Sequence, residues 1–120
     1  SLYDTLGVCK FSRHVYLVEG LPELVKAVTG LEFSMEELLQ IGERTNWIKK
    51  LINLREGLTR KDDTLPPRMM EDEIIEGPSK GSKITIEELQ KMLDDYYAAR
   101  GWDSEGRLNK EQIKEVENLF

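Results

Sequence analysis

Three times along this chain a short polar residue is followed three positions later by Glu or Gln, with an apolar residue on either side. Ser34 and Glu37 stand between Phe33 and Leu38, Thr85 and Glu88 between Ile84 and Leu89, and Asn109 and Gln112 between Leu108 and Ile113. Each set reads as a capping box with its hydrophobic staple. The first side chain accepts a hydrogen bond from the third residue's amide, the third side chain reaches back, and the flanking apolar pair clamps the entering backbone. Such a device has meaning only where an α-helix begins. The chain is therefore bound to start helices at three fixed places.

The residues after each box agree. Beyond Ser34, the residues Leu38, Ile41, Gly42, Thr45, Ile48, Leu51 and Ile52 recur at helical spacing, and Gly57 comes after Arg55 and Glu56 as a stop signal. This predicts a helix of about six turns, the longest element and the mechanical centre of the fold. Gly42 inside it costs about 1 kcal/mol of helix propensity, which predicts close packing of another element at that point. After Thr85, Ile86, Leu89, Leu93, Tyr96 and Tyr97 form a face that ends at Gly101; after Asn109, Ile113, Val116 and Phe120 form a shorter stripe.

Earlier, residues 21–30 read as a short helix. Pro22 and Glu23 suit its first turn, Leu24, Val25 and Val28 give its apolar face, and Gly30 is its C-terminal stop. The stretch from Phe11 to Val18 is a short helix or an extended segment, and periodicity leaves both open. Residues 58–83 read as a long loop: Pro66-Pro67 is expected to break any helix, Ile74-Ile75 interrupts an acidic run, and residues 77–82 are turn-forming. A connection of this length is expected to wrap a neighbouring surface. No stretch reads as a strand and no repeat is visible. The expected fold is all-α: one irregular, orthogonally packed domain over residues 1–120, with four to six helices and a long loop.

Charge and cysteine content narrow the function classes. The net charge is −6 and the basic residues are scattered among acids rather than gathered on a face, so nucleic acid is not an expected partner. No apolar run approaches the length of a membrane span. The chain has one cysteine, which excludes an internal disulfide and points to a reducing compartment, the cytoplasm. A start at Ser-Leu-Tyr-Asp reads as a piece of something longer, although removal of an initiator Met before Ser would look the same.

The cysteine lies in Asp4-Thr5-Leu6-Gly7-Val8-Cys9-Lys10. Asp4 can accept hydrogen bonds from the amino and ring N–H groups of a heterocycle, Gly7 lets a flat ligand approach the backbone, and Lys10 offers positive charge. A single thiolate can be one corner of a metal cluster whose other corners come from elsewhere. From the residues alone, a buried structural thiol at a helix end is the other reading.

The heptad resembles the D-x-x-G-L-C-x pterin and cluster motif of the tungsten-containing aldehyde ferredoxin oxidoreductases, with Val8 in the place of the usual Leu. Asn53-Leu54-Arg55-Glu56-Gly57, Asp62-Asp63-Thr64-Leu65-Pro66 and Tyr96-Tyr97-Ala98-Ala99-Arg100-Gly101-Trp102-Asp103 resemble the C-terminal part of the same family in the same order. The resemblance runs through essentially the whole chain.

It implies that Asp4 accepts hydrogen bonds from one pterin of a bis-pterin tungsten cofactor and that Val8 and Cys9 lie between pterin and cluster. It implies further that Cys9 is the last thiolate of a [4Fe–4S] cluster and that Lys10 adds charge nearby. The other three thiolates, in an upstream C-x-x-C-x-x-x-C, are absent from this sequence, so cofactor and cluster would be shared with preceding domains. The implied parent oxidises an aldehyde to a carboxylic acid and passes electrons through the cluster to ferredoxin. A homodimer is compatible with it, and the chain alone is expected to be inactive. No residue here reads as a general acid or base.

Other candidates read as structural. His14 is the one histidine and has no partner in sequence. Residues 53–66 read as a charged turn locked by ion pairs, rather than as an interface or channel wall carrying Arg55, Glu56, Arg60 or Asp63. The turn from Asp103 to Leu108 fails as a calcium loop. Aligning Gly106 at the sixth position puts Gly101 and Gln112 where the first and twelfth ligands belong. Tyr96, Tyr97 and Trp102 beside Arg100 read as core packing. A second class of function fits the same acidic, helix–loop–helix chain: a free-standing interaction module, a degenerate EF-hand-like adaptor without cofactor.

Overall fold

The computed structural model describes residues 1–14 and 18–119; the side chains of Arg13 and His14, with residues 15–17 and 120, lie outside what is described. The expectations for His14, for the middle of the Phe11–Val18 stretch and for Phe120 fall there. Among the described residues the chain is all-α, as expected, with no strand. The α-helices are α1 (Leu2–Thr5), α2 (Leu21–Thr29), α3 (Met35–Arg55), α4 (Pro67–Glu71), α5 (Ile86–Ala99) and α6 (Lys110–Glu117). Three 3-10 turns, Lys10–His14, Val18–Gly20 and Arg60–Asp62, stand between them.

The first two capping boxes do what the sequence requires. The Ser34 amide donates to Glu37 Oε2 at 2.7 Å, and the Glu37 amide donates back to Ser34 Oγ at 3.2 Å. Thr85 and Glu88 repeat the exchange at 2.9 and 3.2 Å. The Ser34 amide and then its hydroxyl hold the Glu37 carboxyl below the usual carboxylate range. α6 begins directly after Asn109, whose side-chain amide donates to the Gly101 carbonyl at 3.3 Å.

Three helices end alike. In α1, α3 and α5 the residue two past the last helical one is Gly7, Gly57 or Gly101, each with positive φ. In each case the next amide bonds back six residues, counting both ends: Val8 to Tyr3 at 2.9 Å, Leu58 to Asn53 at 3.0 Å, and Trp102 to Tyr97 at 2.9 Å. This is the Schellman closure, which satisfies orphan carbonyls and turns the chain sharply.

By its internal contacts the chain forms two compact units, Ser1–Lys50 with Gln112–Phe120 and Leu51–Glu111. In the first, Leu21, Leu38 and Val116 are buried, and Arg44 pairs with Glu115 at 3.7 Å. Burying a leucine of this kind fully contributes about 1.5–3 kcal/mol.

The second unit is built around Tyr97, which is 2% exposed. Tyr96, Tyr97 and Trp102 pack with ring centroids 5.7–6.1 Å apart. The Tyr97 hydroxyl donates to the Asp63 carboxylate. Burial first, and then this hydrogen bond and the Asp63 charge, push the phenol well above its ordinary pKa.

Residues 58–83 are more structured than a long loop. Thr59 and Asp62 form a capping box that the sequence reading did not pick out, around the 3-10 turn. Pro67 starts α4 instead of breaking a helix, because at the first helical position its missing N–H would have had no partner anyway. Ile74 then exchanges backbone bonds with Ser82 and Gly81 at 3.0 and 2.8 Å, closing the acidic segment into a turn.

Candidate functional site

The Asp4–Lys10 segment is a helix end with a redirected exit. α1 is one turn long, too short to persist by its own hydrogen bonds. Gly7, with φ +66°, closes it: its amide donates to the Asp4 carbonyl at 3.2 Å and the Val8 amide to the Tyr3 carbonyl at 2.9 Å. A side chain at this φ would be strained, which is why a glycine stands three residues after the aspartate. The turn sends Val8 and Cys9 away from the helix axis, and Lys10 opens the next 3-10 turn. Ser12 holds the exit, its amide and hydroxyl both donating to the Cys9 carbonyl at 2.9 and 2.5 Å. These hydrogen bonds thus hold Asp4, Val8, Cys9 and Lys10 on one short helix–turn segment.

Cys9 is exposed. Within this chain, therefore, the thiol is not packed as a small apolar filler. Asp4 presents a carboxylate that is 63% exposed, with the Lys49 ammonium 3.8 Å from one oxygen. The space beside Gly7 is open, with no atom within 4 Å of where a Cβ would be. An acceptor carboxylate, a bare backbone, a thiol and an exposed lysine in that order fit a flat, N–H-bearing ligand lying next to a thiolate-bound metal group.

The donor set also sets a limit. A [4Fe–4S] cluster needs four thiolates, and the chain has one cysteine. Among the described residues no group of three or more His, Cys, Asp and Glu converges on one point. Cys9 therefore fits as one corner of a cluster and not as the whole of one.

The remaining sequence candidates stand elsewhere and are structural. Arg55 and Glu56 are exposed and pair with each other at 3.3 Å. Arg60 is a latch: its guanidinium donates to Asp94 at 2.6 Å, to the Ser104 carbonyl at 2.7 Å and to the Gln90 side chain and carbonyl at 2.7 and 3.1 Å. It also lies 5.3 Å from the centre of the Tyr97 ring. Nothing in residues 53–66 marks Gln90 or Ser104 as its partners. In the Asp103–Arg107 turn, one Asp103 carboxylate oxygen accepts the amides of Glu105 and Arg107 at 2.9 and 2.8 Å. That carboxylate is committed to its own backbone. No helix of the described residues is long and apolar enough to cross a membrane.

The family model described as "Aldehyde ferredoxin oxidoreductase, domains 2 & 3" matches residues 1–117. Proteins named tungsten-containing aldehyde ferredoxin oxidoreductase from Pyrococcus abyssi, Pyrococcus furiosus and Thermococcus kodakarensis are each 38% identical to the chain over 117 residues. Each match covers 97% of this chain and 19% of the relative. The chain thus spans about a fifth of the length of these relatives.

Proposed function

Since the chain belongs to the aldehyde ferredoxin oxidoreductase family, we propose that it is the part of such an enzyme that brings one pterin-binding carboxylate and one cluster thiolate to a shared cofactor site. The observation that carries the reading is the exposed Cys9, set two residues beyond the glycine that closes the aspartate helix. Asp4 accepts from the pterin's N–H groups, Gly7 leaves room for the ring, and Val8-Cys9 runs from pterin to cluster. Lys10 adds positive charge beside an anionic group. When bound, the tungstopterin supplies the two-electron oxidation of an aldehyde to a carboxylic acid, and a [4Fe–4S] cluster passes the electrons on to ferredoxin.

The other thiolates come from preceding domains of the same polypeptide, so the 120-residue chain alone is inactive. On this reading the parent works in the cytoplasm, and a homodimer is compatible with it. The apolar surface supports a place within a larger body. Phe11, Ile75 and Val28 are 84%, 83% and 77% exposed. A free-standing acidic module would leave them all in water.

The test is Cys9→Ala in the native polypeptide, purified without oxygen. Loss or degradation of the [4Fe–4S] spectrum is expected. An unchanged cluster spectrum would remove Cys9 from the ligand set.

A further inference from the structure

Gly42, Thr45, Asn46 and Lys49 stand on α3 at i, i+3, i+4 and i+7, which is one stripe of a helix. Every one of them meets the first five residues of the chain. A Cβ on Gly42 would lie 3.2 Å from the Leu2 Cβ and 3.3 Å from its Cα and backbone nitrogen. The Thr45 and Thr5 hydroxyl oxygens lie 2.9 Å apart, so that either proton can bridge them in place of its bond to the Ile41 or Ser1 carbonyl. The Ser1 hydroxyl donates to the Asn46 side-chain carbonyl, and Lys49 Nζ lies 3.8 Å from Asp4.

These contacts act on α1 in different ways. The bare Gly42 sets how deeply the α1 backbone sits, the hydroxyl and amide bonds set its rotation, and the Lys49 ammonium faces the Asp4 carboxylate from α3, with the Ser1 amino group 3.4 Å from the same oxygen. α1 has four residues and α3 has 21, so the long helix dictates and the short one adapts to it. The Schellman bonds then transmit the position of α1 to Val8 and Cys9.

We propose that this stripe of α3 is the seat that positions the Asp4–Lys10 segment for its cofactors, with Gly42 fixing its depth and Lys49 facing Asp4. The proposal rests on the reading that the segment binds a pterin and a cluster. The four residues are positioning residues: they act through Asp4 and Cys9.

The test uses the native polypeptide that contains this chain, purified without oxygen, as wild type and as Gly42→Ala, Thr45→Val, Thr45→Ser and Gln40→Ala variants. Two quantities are read: the EPR line shape of the reduced cluster, and the rate of iron loss to a chelator. Gly42→Ala should alter the line shape and speed iron loss about ten-fold, the lower end of what removing a supporting contact costs a metal site. Thr45→Val should move both the same way and Thr45→Ser should restore them. Gln40→Ala, exposed and on the far side of α3, should change neither.

Wild-type line shape and iron loss in both Gly42→Ala and Thr45→Val overturn the proposal. If Gly42→Ala does not accumulate, the Thr45 pair decides alone. A wild type with no cluster signal removes the cofactor reading and the proposal with it. An intact wild-type signal with silent variants removes the seat alone.

Discussion

Tyr97 occupies the place where a side chain on Gly106 would be: a Cβ there would lie 2.8 Å from the tyrosine Cζ, and Gly106 also has φ +72°. Gly106→Ala therefore combines overpacking with backbone strain and is expected to cost about 2–4 kcal/mol, read as a lower urea midpoint of the native polypeptide. The turn itself is legible in Asp103-Ser104-Glu105-Gly106; the clash is not, because it depends on a ring nine residues away.

The same tyrosine makes the second unit sensitive to alkali. Its folded pKa is raised above the unfolded value of about 10. The stability it contributes is thus fully present below about pH 10 and is lost as the pH rises beyond it. Tyr97→Phe should be less stable at neutral pH by about 1 kcal/mol, for the lost bond to Asp63, and should flatten the alkaline limb. Unfolding curves from pH 7 to 11 check this. A limb that stays equally steep in the variant would place the alkaline sensitivity elsewhere.

At the scale of elements, the strongest local signals in the sequence are also the ones the fold keeps. Ser34 and Thr85 cap their helices because the box is closed by residues three apart, which a sequence displays in full. Ser34→Ala is expected to cost about 1 kcal/mol and to speed hydrogen exchange in the first turn of α3. Since the bonds from Ser34 hold the Glu37 pKa down, the contribution of that carboxylate is present above its unfolded pKa and is lost as the pH falls through the folded one. Exchange protection at residues 35–38, relative to the intrinsic rate at each pH, should be the first to fall in acid.

Pro67 shows the opposite lesson. A proline pair reads as a break, yet one proline at the first helical position starts α4. The box of Thr59 and Asp62 is hard to see in the sequence because the turn it caps is only three residues long. Arg60 ties this turn to α5 from a distance of 30 and 34 residues, a pairing that no local pattern announces. Its side chain is 15% exposed while that of Asp94 is 62% exposed, so water weakens the ion pair and much of the latch rests on the Gln90 and Ser104 oxygens. Arg60→Lys keeps the charge and loses the fork. It is expected to cost about 1–2 kcal/mol and to expose residues 58–66 to limited proteolysis; a wild-type cleavage pattern would show that the turn holds without it.

For the whole molecule, the telling quantity is surface. The chain exposes 9204 Å², whereas two separate globules of half its mass would expose only about 8,000 Å² together by the usual scaling. Even a two-unit chain therefore carries more surface than it can hide by itself. The candidate site divides in the same way. The heptad and its glycine are legible, and Gly42 announces close packing on α3. The identity of its partner, Leu2, is not legible, because contacts 40 residues apart depend on tertiary folding. The chain spans about a fifth of the length of its relatives, and on the proposed reading the thiolates it lacks come from the rest of such an enzyme.

The most direct measurement is the iron and tungsten content of the native polypeptide containing this chain, purified without oxygen. About four irons and one tungsten per polypeptide are predicted, for one [4Fe–4S] cluster beside one tungstopterin. A polypeptide carrying neither metal would contradict the account.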